Sequence, residues 1–539
     1  MFSRIHTAVC RGIDGFEVFA ETDIARGLPG MYIVGLASTM VMESRERIRS
    51  AIVNSGFEYP RGRITVSLTP ASLRKSGSGL DLPIATGILA SCGQADAAKA
   101  CDYGVIGELS LEGGVLGVSG VLPMIICMRD AGVRKVIIPA ENRTEAELVS
   151  GMEIYPVQSL CECVEIINGG GDGCQGSIEV DEDGVVIEDH TKKDEACLVN
   201  TERAHNTAAA GDLADIKGQE NAKRALTIAV AGRHGILMVG SPGCGKTMLA
   251  SRLPGIMPAM TVDECLETAV IYSAAGKMRP RDELLIRPFR NPHCSIGRAG
   301  LIGGGSIPVP GEITLAHNGV LFMDEVCEYD AATIEALRTP LEEKKIVHFR
   351  KGDSYAFPCN FQLVMAANPC PCGFFGDSSR MCKCTEAQLE RYRKKLSGPM
   401  MDRIDMRITM EKVEYEELRS AAGAPAAVRA DRTMRNSDMV TSESVRVRIE
   451  EAADFARSNG RTKYNADMTD REIDRYCQLG RREGLFMKRA YDALKMTPRS
   501  YKKTLKVART IADLAGSSDI HEEHLAEALS YRMLDAVNE

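Results

Sequence analysis

The chain has 539 residues, too many for one compact domain; at roughly 150 residues per domain the length predicts three or four. Apolar residues make up 44% and charged residues 26%, a globular balance that excludes disorder as the dominant state, and no apolar run approaches the roughly 18 residues of a membrane helix. The formal charge of −8 excludes a uniformly basic DNA-coating protein, so any nucleic-acid surface must be local.

The N-terminus, MFSRIHTAVCRGIDGF, lacks the apolar core of a secretory signal. Eighteen cysteines are too dilute for a disulfide scaffold and are expected to be reduced thiols in a cytoplasm. Residues 1–168 mix strands and helices. RITVSL (Arg63–Leu68) and KVIIP (Lys135–Pro139) read as β-branched strands, and DLPIATGILASC (Asp81–Cys92) and LPMIICMRDAG (Leu122–Gly132) have helical length. Residues 169–205 read as an acidic linker. The stretch opens on Gly169-Gly170-Gly171, and Asp172 to Glu195 holds nine acidic residues and two lysines, net −7. A short strand pair, SIEV and GVVIE around Asp181-Glu182-Asp183-Gly184, fits within it.

Residues 206–420 alternate regularly. GILMVG (Gly235–Gly240), GVLFMDE (Gly319–Glu325) and FQLVMAAN (Phe361–Asn368) are continuous apolar runs separated by helical text, the pattern of a parallel sheet covered on both faces. Glu342 to Phe357 alternates on either side of Arg350-Lys351-Gly352-Asp353, a β-hairpin with glycine in its turn. Residues 421–443 read as a loop, and residues 444–539 as helical throughout, with YKKTLKVARTIADLAG stopping at Gly516. The predicted fold class is thus multidomain α/β.

Gly240-Ser241-Pro242-Gly243-Cys244-Gly245-Lys246-Thr247 follows an apolar strand and precedes a helix, which is the context of a phosphate loop. Its glycines let backbone N–H groups turn toward phosphate oxygens, and the helix N-terminus adds positive potential. Lys246 is placed to reach the β- and γ-phosphates of ATP, and the Thr247 hydroxyl to ligate Mg²⁺. A buried strand ending in two adjacent carboxylates, Asp324 and Glu325, needs a reason, because desolvating them is costly. Asp324 suits Mg²⁺ and Glu325 the polarisation of an attacking water. Asn368 ends the third strand, where open α/β sheets bind ligands, although Asn368-Pro369 taken alone is an ordinary turn opener. Cys370, Cys372, Cys382 and Cys384 form C-x-C-x₉-C-x-C, a set that fits either a Cys₄ zinc site or free thiols, the C-x-C pairs being tighter than the usual C-x₂-C.

GSPGCGKT, PGEITLAHNGVLFMDE (Pro310–Glu325), FQLVMAANPCPCG (Phe361–Gly373) and LSGPMMDRIDM (Leu396–Met406) together resemble the magnesium-chelatase-like AAA+ ATPases of the ComM/YifB family, relatives of MCM helicases, over essentially the whole chain. The resemblance implies an AAA+ core with a C-terminal helical lid. It also implies a hexameric ring that hydrolyses ATP as a DNA helicase or translocase, promoting branch migration in homologous recombination or DNA uptake. Branched or single-stranded DNA would be the partner, and no membrane would be involved. The same residues leave a magnesium-chelatase motor subunit and a protein-remodelling ATPase as alternatives. Arg403 matches the arginine donated to the neighbour's ATP site, its plainer reading being a surface pair with Asp402 or Asp405. Arg499 matches the lid arginine that senses the γ-phosphate and is expected on its own subunit's nucleotide. Gly218 and Gln219 match the segment beside the adenine. Arg350, with Lys351, falls on the hairpin that MCM-type rings insert into the DNA channel, and Pro280 to Pro310 resembles the other channel insertion. The window Arg471 to Arg509, with twelve basic and four acidic residues, reads as a further DNA surface or a charged helix face. KSGSGLDLP (Lys75–Pro83) and SGVLP (Ser119–Pro123) fall where the Lon protease catalytic domain has its motifs, and the first domain resembles that domain; Lys75, Ser76 and Ser78 lie beside Gly79, where a shifted register would restore a serine. The alignment puts Gly79 at the nucleophile and Leu122 at the catalytic lysine, which implies a non-proteolytic module.

Overall fold

The computed structural model describes residues 2–36, 38–75, 77–169, 178–180, 186–188, 211–350, 352–376, 380–396, 398–412 and 440–532. Two large sheets organise them. The first contains β1 (Phe2–Arg11), β2 (Asp14–Ala25), β3 (Gly30–Val34), β4 (Arg63–Thr69), β5 (Tyr103–Val105), β8 (Lys135–Pro139), β9 (Glu153–Val157), β10 (Ile178–Val180) and β11 (Val186–Glu188), with a separate two-stranded ribbon of β6 (Glu108–Leu109) and β7 (Val115–Leu116). The order is β11-β10-β9-β8-β5-β1-β2-β4-β3. The β1–β2 pair is antiparallel and the longest in the sheet, whereas β5, β8 and β9 run parallel beside β1.

Side chains alternate across β1, and each face has its own cover. Ile5 and Val9 join Ile48, Leu82, Ile88 and Leu160 of the helices Thr39–Asn54, Asp81–Ser91 and Leu160–Asn168. Ala8 lies on the other face with Leu122, Ile125 and Met128 of Val121–Asp130. The strand pair expected around residues 181–184 forms as β10 and β11, and β10 pairs with β9. Backbone pairing thus carries the first sheet into the acidic segment as far as Glu188, even though that segment's composition offers little apolar area to bury. Most of the loop at 421–443 lies outside the described residues.

The second sheet contains β12 (Ile236–Gly240), β13 (Phe289–Arg290), β14 (Val320–Met323), β17 (Gln362–Ala367) and β18 (Met406–Met410), all parallel, in the order β13-β14-β17-β12-β18. Between β14 and β17 the chain makes the antiparallel hairpin β15 (Lys345–Arg350) and β16 (Asp353–Pro358), turning at Gly352 with φ +89°. The parallel strands are apolar at consecutive positions because both faces are covered. Ile236, Met238, Phe322 and Val364 meet the helices Glu220–Gly232 and Pro498–Leu514, while Leu237, Leu321, Met323 and Met365 meet Ile313 and Ile334. This α/β parallel sheet fits an AAA+ core.

The C-terminal text is helical but broken into Ser442–Ser458, Asp470–Tyr476, Arg481–Ala493, Pro498–Leu514 and Glu522–Ser530. A buried network ties these helices together: Arg461 lies 2.6 Å from Asp513, which also accepts from Arg509 and Asn465. The two sheets meet through the helix Val262–Ala274. Its Ala269 packs with Leu122 and Ile125, and its Ser273 carbonyl accepts the Gly120 N–H at 2.9 Å. Among the described residues, no helix is long and apolar enough to cross a membrane.

Candidate nucleotide site

The register of the parallel sheet decides which residues meet. Val239 pairs with Ala367, Met323 with Met365 and Gly240 with Met410, so the carboxyl ends of β12, β14, β17 and β18 lie side by side. The loop Gly240–Thr247, the carboxylates Asp324 and Glu325, and Asn368 all leave from that edge, the ligand-binding edge of open parallel sheets. Because β17 lies between β12 and β14, Asn368 sits between the loop and the carboxylates.

The contacts follow. Lys246 is buried, and its Nζ donates to the Asn368 Oδ1 at 3.1 Å and to the Gly240 carbonyl at 2.6 Å. The Thr247 hydroxyl donates to the Asp324 Oδ2 at 2.6 Å. Octahedral Mg²⁺ at about 2.1 Å from its ligands places neighbouring oxygens about 2.9 Å apart, so this oxygen pair fits one edge of such a site. Gly243 and Gly245 have φ of +81° and +94° with open space where a Cβ would be, as a cradle of backbone N–H groups requires. Ser241 contributes its carbonyl to Lys246, and the buried Cys244 holds the loop against the core. Glu325 follows Asp324 with an exposed side chain and φ +48°, a left-handed backbone that non-glycine residues adopt mainly at turns and functional sites. Gly218 and Gln219 also have positive φ, and Gln219 Nε2 donates to the carbonyls of Cys244 at 3.4 Å and Glu411 at 2.5 Å, which sets this segment beside the phosphate loop.

The arginines lie elsewhere. Arg403 and Arg499 both bind the Glu342 Oε1, at 2.7 and 2.8 Å. They line an open cleft of about 700 Å³ with Gly235, Phe361 and Asp405, the residues just before β12, β17 and β18. The cleft is therefore at the amino ends of the strands, with β12, about 15 Å long, between it and the phosphate loop. This corrects the expectation that Arg499 reaches its own subunit's γ-phosphate, because the sheet separates the two. Hydrogen bonds from Arg499 and Arg403 hold the Glu342 carboxyl below its ordinary range against modest desolvation. The helix Pro498–Leu514 carries Arg499 and also fixes the segment around Arg403, since Lys503 donates to the Arg403 carbonyl and to Asp405, both at 2.6 Å. Burial would raise Asp405, but Lys503 and His234 outweigh it and keep the carboxyl well below the carboxylate range. Lys502, Lys503 and Lys506 of the basic window line this cleft, whereas Arg509 is buried on Asp513. Glu342 was not legible as a site residue, since its sequence context is only a charged helix end.

The four cysteines converge immediately after Asn368. Cys370 Sγ lies 3.3 Å from Cys372 and 3.7 Å from Cys382, Cys372 lies 3.6 Å from Cys382, and all four sulfurs, including that of Cys384, fall within 4.8 Å. A tetrahedral zinc–thiolate site with bonds near 2.3 Å spaces its sulfurs about 3.8 Å apart, so the donor set fits zinc. Backbone N–H groups of Lys383 and Phe374 bring the Cys372 thiol down to about 6. Gly373 rests on the phosphate loop, where a Cβ would lie 2.6 Å from Pro242.

On the hairpin, Arg350 is exposed and its Nε donates to the Gly305 carbonyl at 3.2 Å, which links the hairpin to the segment 280–310. Lys351 lies outside the described residues. Phe349, beside Arg350, is 73% exposed. Its place in an alternating hairpin was readable from the sequence, but which face stays open was not. In the first domain, Leu122 is fully buried and Lys75 is buried with its ammonium on the carbonyls of Leu68 and Pro70, so neither supplies a proton acceptor near Gly79 or Ser78.

Three family models match the chain: "Magnesium chelatase, subunit ChlI" over residues 212–418, "Subunit ChlI of Mg-chelatase" over 20–142, and "Magnesium chelatase, subunit ChlI C-terminal" over 439–532. The chain is 39% identical over 530 residues to competence protein ComM of Haemophilus influenzae, covering 98% of this chain and 97% of that one. It is 37% identical over 542 residues to the uncharacterized protein YifB of Escherichia coli, covering 99% and 97%. A Lon protease of Trichlorobacter lovleyi is 25% identical over 166 residues, 29% of this chain and 20% of that one.

Proposed function

The chain belongs to the ComM/YifB family of magnesium-chelatase-like proteins, and from that premise we propose that it is an AAA+ ATPase whose ring, a homo-hexamer, moves branched or single-stranded DNA. The observation that carries this reading is the split between the two ends of the parallel sheet. Lys246, Thr247, Asp324 and Asn368 converge at the carboxyl ends, while Arg403 and Arg499 share Glu342 at the amino ends. A ring brings the amino-end cleft of one subunit to the phosphate loop of the next and so joins the two halves.

In this reading the loop N–H groups and Lys246 bind the phosphates of ATP. Thr247 and Asp324 hold Mg²⁺, which when bound neutralises phosphate oxygens. Glu325 accepts a proton as water attacks the γ-phosphorus, and Asn368 orients the attack. The bond from that phosphorus to the β–γ bridging oxygen breaks, giving ADP and inorganic phosphate. Arg403 and Arg499 of the adjacent subunit stabilise the charge spreading over the transferring group. The hairpin carrying Arg350 and Lys351 would contact DNA phosphates without reading sequence. The Haemophilus relative is named a competence protein, and that name supports a role in DNA uptake.

ATPase rate and DNA binding, measured with and without forked DNA and Holliday junctions, test the reading. Stimulation by DNA is expected, and a protein that neither binds DNA of any form nor changes its ATPase rate with it loses this function. The N-terminal domain does not separate this reading from a chelatase motor, because a ChlI model matches residues 20–142. Stimulation by porphyrin with chelatase partner subunits would favour the motor, and stimulation by a protein client would favour remodelling.

Cys370, Cys372, Cys382 and Cys384 would hold one structural zinc, on the support of their sulfur spacing. Elemental analysis should find about one zinc per chain, lost in Cys370→Ser/Cys384→Ser. Metal-free protein of full stability and activity refutes the assignment.

A further inference from the structure

The turn between β1 and β2 leaves the nine-stranded sheet and reaches the hairpin β15–β16. Arg11 pairs with Asp353 at 2.7 Å and lays its guanidinium over the Tyr355 ring, 4.9 Å from the centroid. Gly12, at φ +70°, lies so close that a Cβ would meet the Tyr355 ring at 3.3 Å and Phe357 at 3.6 Å. Ile13 packs against the cluster that contains Ile346 and Phe357. The hairpin register gives this contact a single face. Ile346 pairs with Phe357 and His348 with Tyr355 on the face turned to the protein, and that face ends at the tip pair Arg350 and Asp353, where Arg350 is exposed. Val347, Phe349, Ser354 and Ala356 form the other face, with Phe349 73% exposed and Val347 38% exposed. At the tip, Arg350 reaches the Gly305 carbonyl, and Ile307 to Val309 of the same segment line a cavity with Gly77, Ser78 and Gly79, the loop where the Lon-like nucleophile would be.

A two-stranded hairpin is marginal by itself and transmits force only when packed on something stiff. Here the stiff body is the first domain. We propose that the first domain positions the hairpin, with Arg11 as the positioning residue, so that Arg350 and the open Phe349 face are held toward DNA. The proposal rests on the reading of this hairpin as the DNA-contacting element. It gives the first domain a place inside the motor in place of a peptidase activity. Arg11 and Asp353 are both partly exposed, so their pairing adds little to overall stability. Its loss would loosen the hairpin tip, while the Gly12 and Ile13 contacts keep the chain folded.

The test uses the full-length protein with forked DNA. Arg11→Asp should keep basal ATPase and thermal melting near the wild type but lose most of the DNA-stimulated rate. Asp353→Arg should lose it likewise, and Arg11→Asp/Asp353→Arg should regain it by restoring the pair with reversed charge; Arg11→Lys should retain part. Wild-type stimulation in Arg11→Asp, or a double variant no better than either single, overturns the proposal. Arg350→Ala separates the two levels. If it abolishes stimulation while Arg11→Asp does not, only the positioning role fails; if it leaves stimulation and DNA affinity intact, the hairpin reading fails and the positioning role with it.

Discussion

The two ends of the parallel sheet are built differently. At the carboxyl ends the candidate nucleotide-site groups already touch one another: Lys246 holds Asn368 and Thr247 holds Asp324. At the amino ends two arginines converge on one half-exposed carboxylate, Glu342, among the lysines Lys502, Lys503 and Lys506. The first end can bind a nucleotide with its own residues. The second has cations in excess and, in its own chain, no phosphate loop within reach; in the proposed ring a neighbour's phosphate loop would complete it. In the proposed ring, phosphoryl transfer would draw on both sets of groups, and geometry would then link hydrolysis to assembly.

The largest effect that would sharpen this contrast is on Arg403. Arg403→Ala should bind ATP yet hydrolyse it about 10³- to 10⁵-fold more slowly, as expected for an arginine finger. Mixing it with Lys246→Ala should restore part of the ATPase, because some interfaces then pair an intact loop with an intact finger. Mixed rings that form and stay inactive would mean that Arg403 is not the finger or that hydrolysis must pass around the whole ring. Next comes Glu325→Gln, which should retain nucleotide binding but lose about 10²- to 10⁴-fold in turnover, the usual contribution of a general base. Wild-type hydrolysis in that variant removes Glu325 from the mechanism.

A smaller effect is expected at Arg499. Losing one charge-assisted hydrogen bond of about 1.5–3 kcal/mol would slow hydrolysis roughly 10- to 150-fold. Its position beside Arg403 gives a sharper expectation: Arg499→Ala should be rescued by mixing with Lys246→Ala but not with Arg403→Ala, because the latter two lesions share one face and no interface receives both arginines. Rescue by Arg403→Ala would separate the two arginines and break the comparison. The smallest effect is at Glu342. Its carboxyl is held below the ordinary range in the folded chain, so its stabilising contribution is present above the unfolded carboxylate value and fades as pH falls through the folded one. Glu342→Gln should therefore change stability at neutral pH by under about 1 kcal/mol, the pair being surface-exposed, and should flatten the acid limb of a melting-temperature profile. An unchanged acid limb would show that Glu342 does not hold the arginines in solution.

Local signals made much of this molecule legible. The runs around Ile236–Gly240, Val320–Met323 and Gln362–Ala367 are apolar at every position because both faces are covered, and the text shows this directly. The hairpin turn at Gly352 and the helix stop at Gly516 were readable because both need positive φ. The β1–β2 pair, the longest in the first sheet, carried no clear signal: its strands mix Arg, His, Glu and Thr with apolar residues and gain their apolar face only by packing on two helical layers. The pairing of β10 with β9 was equally hidden, because backbone hydrogen bonds across an edge leave little trace in composition.

For the site, the sequence by itself determined the chemical inventory: a phosphate loop ending in Lys246 and Thr247, the carboxylates Asp324 and Glu325, Asn368, four closely spaced cysteines, and two arginines. All but the arginines follow from short motifs whose residue types and spacing are dictated by phosphate, water and metal; the arginines are implied by the family resemblance. Only the tertiary structure decided which of them share a location. Strand order puts Asn368 between Lys246 and Asp324, and the same order puts Arg499 with Arg403 at the far end of β12, on a carboxylate from yet another helix. Such juxtapositions depend on the register of strands more than a hundred residues apart, and that register is set by packing across the whole sheet, which no local stretch of sequence contains.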